Sequence, residues 1–138
     1  MLLKSKEQVE EFIKERNIQH FEAEEFLCKC GCGKVLIESQ LITTLEALRE
    51  HIQKPVVITS AYRCPSWNKQ VGGVSSSAHT RGLAVDIECT NSKDRYLILK
   101  FLLSRGVERI GIGRNFVHFD LDDEKPSPRV WHYYYEKR

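Results

Sequence analysis

Two short runs in the second half of the chain alternate between apolar and other residues with a period of two. They read "LAVDIEC", from residue 83 to 89, and "FVHFD", from residue 116 to 120. Because successive side chains of a β-strand point to opposite faces, each run predicts a strand with one apolar face. The opposite face carries Asp86 in the first run and His118 in the second. The chain is therefore expected to fold around a sheet with one packed face and one face that offers potential metal ligands.

Helical periodicity is found before and between these strands. Ser5 and Gln8 form a capping box for a first helix, and apolar residues spaced three to four apart predict a second helix from about Ser39 to before Pro55. A third helix is expected from about residue 92 to 104, and "CPSWNKQVGG" suits a brief helical turn. "VSSSAHTRG" is expected to be a loop, and further strands are predicted at "PVVITS", "RIGIG" and "RVWHYYY".

This order of elements predicts the fold class. Helices come early, most strands come late, and the short links between strands suit hairpins, which favours an α+β fold with a mostly antiparallel sheet flanked by helices. A chain of 138 residues fits one domain. We expect residues 1–38 to form an N-terminal helix and a cysteine knuckle, and residues 39–138 to form the core that carries the chemistry.

Composition excludes several function classes. The chain is 41% hydrophobic and 29% charged, as in ordinary globular domains. Its net charge is only +2 and its basic residues are scattered, so nothing indicates a nucleic-acid partner. No apolar stretch approaches the roughly 20 residues that span a bilayer. We therefore expect neither nucleic acid nor membrane among its partners.

Four of the five cysteines form a candidate cluster. Cys28, Cys30 and Cys32 lie in "FLCKCGCGK", and Cys64 lies in "YRCPSWN". Clustered cysteines in a cytosolic protein are typical of metal ligands or reduced thiols, and Cys64 could complete a four-sulfur zinc site. Their spacing is not that of a standard zinc pair, so a second, structural metal, a disulfide and plain thiols are all open interpretations.

His79 precedes the first alternating run and completes a second candidate site. The six residues between His79 and Asp86 include Gly82 and allow the chain to fold back. Together with His118 they offer two imidazoles and one carboxylate, the ligand set of an open catalytic zinc site in which water takes the fourth position. The alternative is a histidine and an acid that bind no metal.

The pattern as a whole resembles a known family. "SAHTRGLAVD" is similar, at every defined position, to the S-x-H-x-x-G-x-A-x-D signature of the zinc D-alanyl-D-alanine peptidases. That family includes vancomycin-resistance dipeptidases and phage cell-wall endopeptidases, and it shares its fold with the Hedgehog signalling domain. "FVHFD" resembles its second motif, "ITSAYRCPSWNKQVGG" its upstream segment, "RVWHYYY" its closing strand, and "FLCKCGCG" its phage-type members. The likeness covers roughly Leu41 to Tyr135 and implies one catalytic zinc on His79, Asp86 and His118.

The resemblance also implies roles for two further residues. Arg63 matches the arginine that faces the substrate, and its planar guanidinium suits a carboxylate or a developing oxyanion. Ser77 matches the motif serine and would donate a hydrogen bond near the bound peptide. The alternatives are a surface arginine and an ordinary loop residue.

The general base departs from the family pattern. Relatives carry an acid or a histidine two or three residues before the last zinc histidine, where this chain has Phe116 and Asn115. Asp120 is the nearest carboxylate on the face of His118, about 7 Å away along a strand, and is our candidate base. The alternatives are that Asp120 orients His118 or pairs with an arginine. His132 and Glu88 are further candidates for the base.

The function implied by the resemblance is zinc-dependent hydrolysis of a peptide bond in peptidoglycan stem peptides, as a D,D-carboxypeptidase or an L,D- or D,D-endopeptidase. The start, "MLLKSKEQVEEF", is not a secretory signal, so we expect a monomer made in the cytoplasm and released by lysis, as an endolysin, or carried in a phage particle. The alternatives are a zinc-bearing wall-binding module without catalysis, which the missing base favours, and a phage structural protein.

Overall fold

Within residues 1–134, which the computed structural model of the protein describes, the helices begin and end close to the predicted positions. They are α1 (Lys6–Glu15), α2 (Ser39–Ile52), α3 (Pro65–Gln70) and α4 (Ser92–Ser104). The Ser5 hydroxyl caps α1 by accepting a hydrogen bond from the Gln8 amide at 3.1 Å. Tyr135, the end of the predicted closing strand, lies outside the described residues.

The strands form two sheets. The larger sheet contains β3 (Ile58–Ser60), β4 (Ala84–Glu88), β5 (Arg109–Ile112), β6 (Phe116–Asp120) and β7 (Arg129–His132), and a small sheet contains β1 (Leu2–Leu3) and β2 (Ile37–Glu38). The order in the larger sheet is β3-β4-β6-β5-β7, and every pair is antiparallel except β5 and β7. The predicted α+β fold with a mostly antiparallel sheet is therefore confirmed.

One hydrophobic core lies against the apolar face of this sheet. Val85 and Ile87 of β4 and Val117 and Phe119 of β6 are almost completely buried, as the alternation predicts. The same core takes side chains from the N-terminal segment and from α2 and α4, including Phe12, Phe26, Ile37, Leu45 and Leu102. Because these elements all lie over the apolar face, the opposite face is left available for a site. No helix within residues 1–134 has both the length and the apolar character required to cross a bilayer.

Three local features differ from the sequence prediction. The strand predicted at "PVVITS" begins only at Ile58, since β3 is an edge strand whose register against β4 shifts between Ile58 and Ser60. The predicted loop "VSSSAHTRG" contains a 3-10 turn at Ala78–Arg81. The two-residue strands β1 and β2 were not predicted, because elements this short leave no periodic signal.

Candidate metal centre

Strand register brings two of the predicted ligands face to face. Asp86 of β4 and His118 of β6 are direct partners across the antiparallel pair. The row continues on the other side of His118 with Gly111 of β5, which in turn pairs with Trp131 of β7. This row crosses the sheet on the face opposite the core, and it forms the floor of the site.

The third candidate ligand, His79, comes from the 3-10 turn before β4. The Ser77 hydroxyl caps this turn by accepting a hydrogen bond from the His79 amide at 3.2 Å. Gly82 ends the turn with φ of +75°, and a Cβ at this position would lie 2.7 Å from the carbonyl carbon of Leu36. The tight return of the chain brings the His79 ring to 5.2 Å from the His118 ring, measured between centroids.

Each imidazole has one nitrogen held by the protein and the other directed at Asp86. His79 donates its Nδ1–H to the Ala61 carbonyl at 2.6 Å, and its Nε2 lies 3.2 Å from Asp86 Oδ1. His118 places Nε2 2.7 Å from Asp120 Oδ2 and Nδ1 2.8 Å from Asp86 Oδ1. Metal-bound histidines characteristically use one nitrogen for the metal and donate the other N–H to a carbonyl or carboxylate. In this arrangement His79 Nε2 and His118 Nδ1 are the atoms that could bind a metal.

The three side chains fit a zinc ion. They are 3%, 7% and 7% exposed for His79, Asp86 and His118, and their candidate ligand atoms all lie within 4.8 Å of one another. Two imidazole nitrogens and one carboxylate oxygen provide three of four zinc positions, which leaves one position for water or substrate. The chemistry of this donor set is that of a catalytic zinc site.

Charge in the cluster is strongly coupled. Burial disfavours the charged form of His118, but hydrogen bonds to Asp120 and Asp86 outweigh burial and raise the pKa of His118 to about 9. Burial likewise opposes ionisation of Asp86, yet hydrogen bonds from His118 and His79 hold the pKa of Asp86 well below its usual range. These contacts favour a protonated His118 in the absence of metal, and a metal held here would take the place of that proton.

Arg63 and Ser77 both line the cleft above this centre. The cleft has a volume of about 380 Å³. The Arg63 guanidinium donates to Ser60 Oγ at 3.1 Å and to Asn68 Oδ1 at 3.0 Å, and its Nη2 lies 3.6 Å from Asp86 Oδ2. The guanidinium is therefore held at the edge of the metal site. Ser77 is buried and its hydroxyl oxygen is used by the turn, while its own proton is available to donate.

Asp120 uses both of its carboxylate oxygens. Oδ2 bonds His118 Nε2, and Oδ1 accepts from Arg109 Nε at 2.7 Å and from the Asp122 amide at 3.0 Å. Burial raises the pKa of Asp120, but these partners outweigh it and the pKa lies below the ordinary value. Its role as a base stays a prediction, and the bonds favour the alternatives, in which Asp120 orients His118 and pairs with an arginine. Glu88 and His132 do not line the cleft.

Sequence reasoning missed the other wall of the cleft. Arg109 lies with its guanidinium carbon 4.7 Å from the centroid of the Trp131 ring, and Trp131 lies 5.6 Å from the His118 ring. Gly111 makes room for the rings of Trp131 and Tyr133, since a Cβ there would lie 2.8 Å from atoms of both. The signal was present, because the alternation used for β4 and β6 also puts Arg109 and Gly111 on one face of "RIGIG".

The four clustered cysteines also meet in the structure. Cys28 Sγ lies 3.4 Å from Cys30 Sγ, which lies 3.7 Å from Cys64 Sγ, and all four sulfurs, including that of Cys32, lie within 4.8 Å of one another. The thiols are free, and these distances far exceed the roughly 2.05 Å of a disulfide bond. Hydrogen bonds from the Ser66 hydroxyl and the Trp67 amide lower the pKa of Cys64 to about 6.

The buried donor set and the adjoining cleft are those expected of a metal-dependent hydrolase. A family model described as Peptidase M15 matches residues 19–120, and the chain belongs to the Peptidase M15 family. Peptidases of this family depend on zinc, so membership implies a metallopeptidase. No curated protein matches the chain.

Proposed function

We propose that the protein hydrolyses a peptide bond in peptidoglycan stem peptides, with one catalytic zinc ion held by His79, Asp86 and His118. The observation that carries the proposal is the paired orientation of the imidazoles. Each ring has one nitrogen bonded to the protein behind it and the other aimed at the same carboxylate, at the floor of a cleft. Such preorganisation is costly to maintain for structure alone and is typical of a catalytic metal site.

The chain's own residues prepare the site for hydrolysis. When bound, zinc supplies a Lewis acid that polarises the scissile carbonyl and lowers the pKa of water towards 7. The Ala61 carbonyl fixes the tautomer of His79, and Asp120 fixes the tautomer of His118. Arg63, held by Ser60 and Asn68 at the edge of the centre, would pair with a substrate carboxylate or a developing oxyanion.

Cationic groups in the cleft support the choice of substrate. Arg63, Arg109 and Lys125 line it together with the ring of Trp131. Stem peptides of peptidoglycan carry free carboxylates and small D-residues, and both suit a cleft that offers guanidinium groups beside an aromatic surface. Whether the product is a terminal residue or an internal fragment distinguishes a carboxypeptidase from an endopeptidase.

A second candidate is a zinc-bearing wall-binding module. It is supported by Phe116, which occupies a position where relatives carry the base. Among the described residues that line the cleft, the carboxylates are Asp86 and Asp120, and both are already hydrogen-bonded to His118. A binding module would require the cleft and Arg63 but no proton acceptor.

Mass spectrometry of peptidoglycan fragments separates the two functions. Zinc-loaded protein is expected to release peptides from purified peptidoglycan, a chelator is expected to stop release, and added zinc is expected to restore it. His118→Ala, which removes a proposed ligand, is the inactive control, and Glu88→Gln, outside the cleft, should stay active. Binding to peptidoglycan without release of any fragment, across several stem-peptide chemotypes, would support the binding module and reject the hydrolase.

A further inference from the structure

We propose that Cys28, Cys30, Cys32 and Cys64 bind a second, structural zinc ion, which fixes the loop that carries Arg63. The presence of this metal does not depend on the proposed hydrolysis, whereas its effect on Arg63 does.

The sulfur positions match a tetrahedral thiolate site. Zinc–sulfur bonds of about 2.3 Å place neighbouring sulfurs of a tetrahedron about 3.8 Å apart. The Sγ–Sγ separations of 3.4 Å from Cys28 to Cys30 and 3.7 Å from Cys30 to Cys64 are close to that value. Four protein ligands close a zinc site, and closed sites of this kind are structural.

The backbone around the thiols is shaped to receive a metal. The Cys28 amide donates to the Lys34 carbonyl at 3.0 Å, which closes a loop over the intervening residues. Gly31 enters this loop with φ of +87°, a conformation that lets the chain turn sharply between the sulfurs. The Cys64 amide donates to Cys28 Sγ at 3.3 Å, a bond that holds the two buried ends of the cluster together.

The loop that carries Arg63, residues 61–64, contacts both the cysteine cluster and the catalytic centre. Ala61 orients His79 through its carbonyl, and the Arg63 amide donates to the His79 carbonyl at 3.2 Å. Cys64 follows directly and is the N-cap residue of α3, whose buried Asn68 holds the Arg63 guanidinium. A metal on the four thiols would therefore link the N-terminal segment to the residues that orient one catalytic ligand and the substrate-facing arginine.

Zinc counting tests the site. Wild-type protein, purified under reducing conditions, is expected to hold two zinc ions per chain, and Cys32→Ser is expected to hold one. Cys32 is exposed, so this variant keeps the core intact. Cys89→Ala is the matched control, because Cys89 lies outside the cluster, and it should keep two ions. His79→Ala should lose one ion and keep the thiolate-bound one.

Cobalt substitution gives a test that needs no variant. Cobalt in the wild-type protein is expected to show a strong thiolate-to-metal charge-transfer band, which two histidines and a carboxylate do not produce. Absence of that band, or a Cys32→Ser protein with the same zinc content as wild type, would overturn the proposal. Two zinc ions in a protein that cleaves no peptidoglycan would instead reject only the hydrolase.

The effect on Arg63 is measured by kinetics. With its remaining zinc site fully loaded, Cys32→Ser is expected to raise KM for peptides with a free carboxylate more than it lowers kcat, because the guanidinium loses its fixed position. Equal KM in Cys32→Ser and Cys89→Ala would reject the positioning effect.

Discussion

Replacing Asp120 with asparagine tests how the His118 ring is held. The carboxylate accepts from His118 Nε2 at 2.7 Å and from Arg109 Nε at 2.7 Å. An amide has only one oxygen, so its NH2 group must face either His118 or Arg109. Beside His118, the NH2 group favours the tautomer that protonates Nδ1, and this removes the lone pair assigned to zinc.

The size of the effect follows from these contacts. Loss of the partner behind a metal-bound histidine typically weakens metal affinity about 10- to 100-fold, and we expect this range for Asp120→Asn. Arg109 is also largely buried, with 10% of its side chain exposed, so loss of its charged partner should lower the free energy of unfolding by about 1–3 kcal/mol. Asp122→Asn is the matched control, because Asp122 pairs with Arg81. It should leave zinc affinity unchanged.

The assay is competition for zinc with a chromophoric chelator, followed by kcat at saturating zinc. If Asp120 orients His118, the variant binds zinc more weakly and recovers kcat to within about tenfold when the site is filled. If Asp120 is the base, the affinity is unchanged and kcat falls about a hundredfold or more. Unchanged zinc affinity in Asp120→Asn would refute the orienting role argued from the two hydrogen bonds.

Three further predictions concern the cleft, the turn and the metal-free state. Arg63→Ala should lower kcat/KM for peptides with a free carboxylate by an amount that corresponds to about 2–4 kcal/mol, and should lower it less for amidated peptides. An equal loss for both kinds of peptide would show that Arg63 does not recognise the carboxylate. Gly82→Ala should lower the free energy of unfolding by about 1–3 kcal/mol in a denaturant titration, because φ of +75° and the close Leu36 carbonyl resist a Cβ, and a wild-type midpoint would contradict this. In metal-free protein, protonation of His118, whose pKa is raised to about 9, stabilises the fold, and this contribution is fully present below about pH 6.5. Up to about 3 kcal/mol of the free energy of unfolding is therefore lost as the pH rises through about 9. Zinc-loaded protein should not show this loss in unfolding experiments, because the metal replaces the proton.

The alternation of side chains predicted correctly which face of the sheet carries Asp86 and His118, and for a physical reason. Asp86 and His118 lie in strands whose other face is buried, so their direction follows from the two-residue period alone. The register that puts them directly opposite each other depends on how the strands pair, and no local pattern contains it. Similarly, the turn that returns His79 to β4 depends on contact between Gly82 and the distant Leu36.

The residues that were missed depend on long-range pairing. Trp131 reaches His118 only because β7 joins β5 in parallel, across a connection that includes β6. Arg109 appears exposed in a sequence pattern, but it is buried by Asp120 and Trp131. The cysteine cluster was predicted only in part. Its residue types indicated metal or thiol chemistry, while the approach of Cys64 to Cys28 is a product of the fold.

Zinc content of Asp86→Ala tests the central claim most directly. Asp86 is the carboxylate to which both imidazoles point, so its loss removes the proposed ligand at the centre of the site. Elemental analysis under reducing conditions is expected to find one zinc ion fewer per chain than in wild type, while Asp94→Ala, a control at a half-buried carboxylate paired with Lys54, keeps the full number. An Asp86→Ala protein that is folded and holds as much zinc as wild type would contradict the assignment of His79, Asp86 and His118 as the metal centre.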